Sequence, residues 1–526
     1  MNENQSKAQQ QLLLGNVRKE QGMLEAAIQC YQEGLILCPG NAELWFNLAS
    51  TFLALRRLSE AVEAFQQVLM LRPDIVGAYN NLGGALIELS RLPEAIEVLQ
   101  QAIALQPNFA EAYSNLGNAL LKLHKPLEAA AVLQQAITLK PDFAEAYISL
   151  GNALLKLQRP SEAVEVLQQA IAFQPDLFGA YINLGNALQS QGKAEDAIFA
   201  YNRAITLKPA DPRGYNNRAQ AILLSGDLAR GFAEYEWRTK VNRYRHFYEG
   251  FDSRPRWDGE NFAGKRLLVY DEQGFGDTLQ FCRYLPLVKA RGGIVQFSTK
   301  QPLLRLFTNL PGIDELIEQS GAAIAKTQFD LTVPLLSLPH IFGTTLQTIP
   351  AGIPYLTVGQ HSIAAWRSKM NCSGTNLRVG LSWAGDPANI PGQSRTCGLK
   401  AMSPLTGIPG TTFYSLQTGA AAKEANTPPP GMQLIDLTAD IADFADTAAL
   451  IMNLDLVVSV DTAVAHLAGG LGKPVWTLLP SDGEWRWLLA RSDTPWYPTM
   501  RLFRQSTPGD WNVVMTVVAQ ELRLLS

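Results

Sequence analysis

The chain reads as an α plus α/β protein: an N-terminal α-solenoid, then a pair of doubly wound α/β lobes. Three observations carry that expectation. Pro39, Pro73, Pro107, Pro141, Pro175 and Pro209 recur at one constant interval without a slip, and a fixed period of this size marks a stacked repeat. Beyond about residue 264, apolar runs of strand length alternate with helical stretches, the pattern of parallel sheets covered by helices. With 526 residues and 47% hydrophobic side chains, the chain is too long for one compact domain and has ample material for several cores.

Other positions recur with the prolines. Small residues fall at Gly15, Ala49, Gly83, Gly117, Gly151 and Gly185, and at Ala27, Ala61, Ala95, Ala129, Ala163 and Ala197. Two antiparallel helices approach closely there, and a larger side chain would hold them apart. Aromatics repeat at Trp45, Tyr79, Tyr113, Tyr147, Tyr181 and Tyr215, and each proline stops the second helix of its unit. Together these residues resemble the tetratricopeptide consensus, with six full units over 8–211 and a degenerate seventh reaching about residue 245. In the seventh the proline is lost while Tyr215, Ala219 and Tyr235 persist.

Asn47, Asn81, Asn115, Asn183 and Asn217 recur on the first helices, with Ser149 in the gap. First helices line the concave face of such arrays, and each amide offers a donor and an acceptor to the backbone of an extended peptide. The column resembles the Asn ladder of O-GlcNAc transferase, which implies a bound protein or peptide acceptor. Local hydrogen bonding that stabilises the array accounts for it equally well.

Charge excludes one class of partner. Residues 1–245 carry 22 basic and 24 acidic side chains and the rest carries the same numbers, for a net charge of −4. No basic stripe marks a nucleic-acid surface. Five cysteines include no CxxC pair, which points to a reducing compartment. The polar first residues lack a signal-peptide core, and the apolar stretch 454–480 is interrupted by Asp455, Asp461, His466 and Lys473, so no transmembrane segment is expected. These features predict a cytoplasmic protein.

An aromatic connector is expected over 246–263, a first lobe over 264–360 and a second over 361–526. Residues 266–270, 294–298, 377–383, 412–416, 454–460 and 475–479 read as buried parallel strands. Ligands of such sheets bind beyond the carboxyl ends of strands, and two strand ends stand out. Gln273, Gly274, Gly276 and Asp277 follow the first strand; the glycines permit close backbone approach, and Asp277 is either a functional carboxylate or a helix cap. Asp461, Thr462 and Ala463 open a helix after 454–460, where free N–H groups and the helix dipole favour phosphate. His466 reads as a satisfied core histidine. Trp383, Gln417, Glu484, Trp485 and Arg486 fall on predicted cleft loops, the tryptophans as packing.

The segments QGFGDTLQFCRYLPLVKARG, GLSWAG and SVDTAVAHLAGGLGKPVW resemble the ADP-heptose:lipopolysaccharide heptosyltransferases, a GT-B glycosyltransferase group. The layout is also similar to O-GlcNAc transferase and to flagellin glycosyltransferases. This resemblance implies a GT-B type pair of lobes, Asp277 as catalytic base, and Asp461, Thr462 and Ala463 as the donor-phosphate segment, with Ala463 where the family usually has Gly. The family's lysine after the first strand of the second lobe has no match; Arg395 takes its place as the cation, and Gln417 joins the donor side. The implied chemistry is inverting, metal-independent transfer from a nucleotide sugar, with no further cofactor. No His/Cys cluster has metal-ligand spacing, and no aspartate pair resembles the DxD of metal-dependent transferases. Three readings stand: transfer to a protein acceptor held by the repeats, transfer to lipopolysaccharide or another glycan, and a non-catalytic tetratricopeptide adaptor with a degenerate domain.

Overall fold

The structure, a computed structural model, describes residues 3–241, 247–248, 250–251, 254–370, 376–386 and 395–525. The chain forms two compact units, Met1–Ala187 and Leu188–Ser526. Among the described residues, fourteen helices follow one another from Glu3 to Tyr235, and parallel sheets with covering helices follow them.

In the first unit the periodic residues do what their spacing implies. Second helices end at Leu37, Leu71, Leu105, Leu139 and Phe173, each just short of its repeat proline. The residue between takes φ from −136° to −142°, because the proline ring clashes with a helical backbone at the residue before it. Ala27, Ala61, Ala95, Ala129 and Ala163 are fully buried. A Cβ on Gly83, Gly117 or Gly151 would come within 2.5, 2.5 and 2.6 Å of Cγ of Leu99, Leu133 and Leu167. The repeating aromatics also cap turns: Trp45 Nε1 donates to Pro39 O at 2.9 Å and Tyr147 Oη to Pro141 O at 3.2 Å.

The turn between the two helices of a unit repeats with the same period. Gly22, Arg56, Ser90, His124 and Gln158 all have φ between 57° and 77°. That region costs an L side chain about 1–2 kcal/mol, against about 0.5–1 kcal/mol of extra backbone entropy for glycine. Gln158→Gly is therefore expected to stabilise the array by about 0.5 kcal/mol, seen as a raised thermal midpoint; a lowered midpoint would refute it.

The second unit contains the helices Ala194–Leu207, Pro212–Leu224 and Leu228–Tyr235 and two sheets. The first sheet comprises β1 (Arg266–Tyr270), β2 (Ile294–Thr299), β3 (Glu315–Glu318) and β4 (Leu331–Pro334), in the order β3-β2-β1-β4. The second comprises β5 (Leu377–Ser382), β6 (Thr411–Ser415), β7 (Leu434–Ile435), β8 (Leu456–Val460), β9 (Val475–Leu479) and β10 (Met500–Arg504), in the order β10-β9-β8-β5-β6-β7. All pairings are parallel. Counted within itself, the second sheet has the 3-2-1-4-5-6 order of a dinucleotide-type fold, whose crevice opens where the order reverses. Here that is between β5 and β8, and in the first sheet between β1 and β4.

The end of the helical run belongs to the core of this unit. Leu223, Leu224, Leu228, Phe232 and Tyr235 share one buried cluster with Phe281, Tyr284, Trp485 and Trp496. Phe232 meets Trp485 edge-on, centroids 5.5 Å apart. In the expected connector, Tyr248, Phe251 and Trp257 are buried, and Phe251 stacks on Tyr270 at 3.8 Å; residues 246, 249, 252 and 253 lie outside the described residues. Among the described residues, no helix is long and apolar enough to cross a membrane.

Candidate active site at the facing strand ends

Two helix starts meet at the site. The helix Phe275–Phe281 follows β1 and the helix Ala463–Gly470 follows β8. Gly276 lies between them: a Cβ there would stand 2.9 Å from His466 Cδ2 and 3.8 Å from Ala463 Cα. The absent side chain lets the first-lobe and second-lobe segments touch.

Asp277 sits in the first turn, with Gly274 at the N-cap. Its Oδ2 accepts from Gly274 N at 2.9 Å and its Oδ1 pairs with Arg486 Nη2. Capping and a charged role thus coexist in one carboxylate. Arg486 also donates through Nε to Gln280 Oε1 at 2.8 Å and pairs with Glu484. Burial opposes the guanidinium charge, yet Glu484 and Asp277 together push its pKa up. Burial raises the pKa of Glu484.

On the second-lobe side, Asp461 is buried at the end of β8, with Arg395 Nη1 at 3.1 Å from Oδ2 and His466 Nε2 at 3.8 Å from Oδ1. Burial alone would raise this carboxyl; Arg395, then His466, hold it below the ordinary range. Thr462 occupies the N-cap and its hydroxyl lies 3.2 Å from Ser459 Oγ. Ala463 opens the helix.

His466 Nδ1 lies 2.9 Å from Tyr497 Oη, and the ring stacks on Trp487 at 5.3 Å. Burial brings its pKa from 6.5 down to about 4, with Asp461 opposing. Between those values the unfolded chain binds a proton that the folded chain refuses, so stability is full above about 6.5 and falls as pH drops toward 4. Wild type should lose on the order of 2–3 kcal/mol between neutral pH and pH ~4.5 through this group. His466→Gln should flatten that slope in denaturant titrations, and an unchanged slope would count against the assignment.

Two expected cleft residues serve other ends. Trp383 is fully buried in the core of the second sheet and presents no ring to a cleft. Gln417 is also buried, its Oε1 accepting from the N–H groups of Trp383 and Ala384 at 3.0 and 2.8 Å and its Nε2 donating to Thr418 O at 3.0 Å. It shapes the loop after β5 rather than offering an amide to a ligand. Pro387–Ser394 of that loop lie outside the described residues.

In the repeats, all five asparagines are half-buried. Asn47 Nδ2 donates to Glu43 O at 3.1 Å, Asn115 Nδ2 to Asn80 Oδ1 at 2.9 Å and Asn183 Nδ2 to Ile148 O at 3.4 Å. Asn217 Oδ1 accepts from Asn216 at 3.4 Å.

Sequence reasoning placed Arg486, in the Glu-Trp-Arg-Trp run of the loop that follows β9, on a cleft loop without a role. It also missed the tie between the last repeat helix and the loop 271–274. Tyr235 Oη accepts from Gln273 Nε2 at 3.0 Å, and Arg238 holds Glu272 at 3.1 and 2.7 Å.

Comparison with known proteins follows this division. Residues 1–222 match the model of the Cilia and flagella-associated protein 70 C-terminal domain, a tetratricopeptide family. Residues 423–495 match Glycosyltransferase family 9 (heptosyltransferase), a stretch that holds Asp461–His466 and Arg486. Protein FlbA of Caulobacter vibrioides is 27% identical over 339 residues, 58% of this chain and 54% of that protein; the chain spans about half the length of this relative. Among solved structures, the MamA protein is 27% identical with a TM-score of 0.30, covering 32% of this chain and 92% of its own. TTC0263, a thermophilic TPR protein in Thermus thermophilus, is 26% identical with a TM-score of 0.30, covering 34% and 98%. By these matches the chain carries tetratricopeptide repeats in its N-terminal region and a heptosyltransferase-like stretch toward its C-terminus.

Proposed function

We propose that the protein is an inverting glycosyltransferase that moves a sugar from a nucleotide sugar to a hydroxyl of a protein acceptor recruited by the repeats. The observation that supports this reading is the close approach, at Gly276, of the helix start that carries Asp277 to the helix start at Ala463, which brings a carboxylate into the neighbourhood of a helix end of the kind that favours anions. The acceptor oxygen attacks the anomeric carbon from the side opposite the phosphate. The carbon–oxygen bond to the acceptor forms as the bond to the phosphate breaks, and the electron pair leaves with the nucleotide. Asp277 takes the hydroxyl proton; each carboxylate oxygen keeps a lone pair beyond its present hydrogen bonds. The helix N–H groups, Thr462 and Arg395 face the growing negative charge. Arg486 orients the base, and Arg395 supplies positive charge on the donor side. Protein recruitment rests on the repeat array, a surface type that binds polypeptides along its concave face.

The test is intact-mass analysis of candidate acceptor proteins after incubation with the enzyme and a panel of ADP-, UDP-, GDP- and CMP-linked sugars. A sugar-sized gain on a polypeptide, absent with Asp277→Asn, is expected. The hydrogen bonds that Asn47, Asn115 and Asn183 make within the array favour a second reading, in which the acceptor is a glycan and the repeats dock an assembly partner. Transfer to glycan without any polypeptide would establish it. No transfer and no binding of any donor would leave the adaptor.

A further inference from the structure

The residues before Asp277 are held from an unexpected direction. Gln273 has φ 63°, a backbone region that few non-glycine residues adopt. Its amide reaches Tyr235 Oη at 3.0 Å, and Tyr235 is the last residue of the helix Leu228–Tyr235. Tyr235 is buried and belongs to the core cluster that also holds Phe232, Phe281 and Trp485, which restrains its ring and with it the hydroxyl. Next in the loop, Glu272 receives Arg238 on both oxygens, Tyr248 on Oε2 and Leu336 N at 3.0 Å on Oε1. Asp271 is fastened on its other side by Thr299 Oγ1 at 2.8 Å, Thr278 Oγ1 at 3.2 Å and Lys300 Nζ at 3.1 Å. Asp271 is thus tied into its own lobe. Gln273, the residue just before the N-cap Gly274, takes its side-chain tie from the end of the helical repeat run.

We propose that Tyr235 is a positioning residue for the transfer reaction: through Gln273 it sets the turn that aims Asp277 at the acceptor hydroxyl. The inference rests on the proposed function for its catalytic part, while its structural part stands apart from it. Catalysis tolerates little displacement, since misplacing a reacting group by about 1 Å costs on the order of 10²-fold. Loss of one hydrogen bond that leaves the ring packing intact is expected to lower the rate about tenfold, without weakening donor binding.

The experiment compares Tyr235→Phe, Gln273→Gly and the double variant in the full chain. Glycine suits a positive φ, so Gln273→Gly removes the amide without straining the backbone. The expected kinetic result is about tenfold lower kcat in each single variant, an unchanged KM for the nucleotide sugar, and a double variant no slower than either single one, as two ends of one bond require. Hydrogen exchange supplies a readout independent of activity: amides of 273–278 should exchange faster in Tyr235→Phe while the thermal midpoint stays near wild type. Unchanged exchange in that segment overturns the inference whether or not transfer is observed. So does a wild-type kcat in Tyr235→Phe, or full additivity in the double variant. Faster exchange in a protein that transfers no sugar sustains the positioning contact and sinks the proposed function instead.

Discussion

Asp277→Asn is expected to lower kcat by about 10²–10⁴-fold, the range over which a positioned general base acts, with the donor KM little changed. The substitution keeps a side-chain oxygen that can accept from Gly274 N, as Asp277 does at 2.9 Å, so the helix start survives. It removes the charge that pairs with Arg486. Arg486 retains Glu484 and Gln280 as partners, which limits the structural damage. Near-wild-type kcat in a correctly folded Asp277→Asn protein would exclude this carboxylate as the base. Thermal denaturation and nucleotide binding of the variant separate that outcome from misfolding.

The second large effect is on stability. Arg238 and Glu272 are 1% and 2% exposed and form a two-point ion pair, 3.1 and 2.7 Å. Arg238 also reaches Ser337 Oγ at 2.9 Å and Glu236 Oε1 at 2.7 Å. Burial disfavours its charge, but Glu272 and Glu236 outweigh that and hold its pKa well above the ordinary value. Removing one member of such a pair leaves the other buried and uncompensated, at a cost of about 3–5 kcal/mol. Arg238→Met should therefore destabilise the Leu188–Ser526 unit by that amount in denaturant unfolding. Glu272→Gln in the same background, which removes the stranded charge, should restore a substantial part. A loss well below about 3 kcal/mol in Arg238→Met would show that water reaches Glu272.

The same pair explains where the helical repeats cease to be an independent array. Read from composition, the seventh repeat is a decayed copy of the others, short of its proline. In the folded chain its second helix, Leu228–Tyr235, joins the core of the sheets, and its side chains reach the loop after β1. A fragment beginning at residue 246 would lack Tyr235, Phe232 and Arg238, and with them part of that core.

How far the sequence carries the fold depends on the range of the interactions involved. Repeat units were legible because each depends only on itself and on the next unit along the chain: the proline that ends a helix, the small residue under a leucine, the aromatic that bonds back to its turn. Strands β1, β2, β5, β6, β8 and β9 were legible because both faces are buried, which leaves a run of apolar residues. Strands β3, β4, β7 and β10 did not stand out. β7 has two residues, β3 is half-exposed with glutamate at both ends, β10 carries arginine at 501 and 504 within five residues, and β4 is four residues ending in proline.

For the candidate site, local pattern drew attention to the two strand ends, a glycine-preceded aspartate and an Asp-Thr helix start, although the same residues also serve as helix caps. It did not assign partners. That Arg486 pairs with Asp277, and Arg395 with Asp461, follows from how the two sheets bring distant segments together. Trp383 and Gln417 occupy a strand end as expected, but their direction is set by the core and the β5 loop around them. Chain periodicity thus determined the repeats and the parallel lobes, because short-range sterics and burial leave their mark residue by residue. Tertiary structure alone decided which charges meet, because an ion pair between distant segments imposes no spacing that a sequence could display.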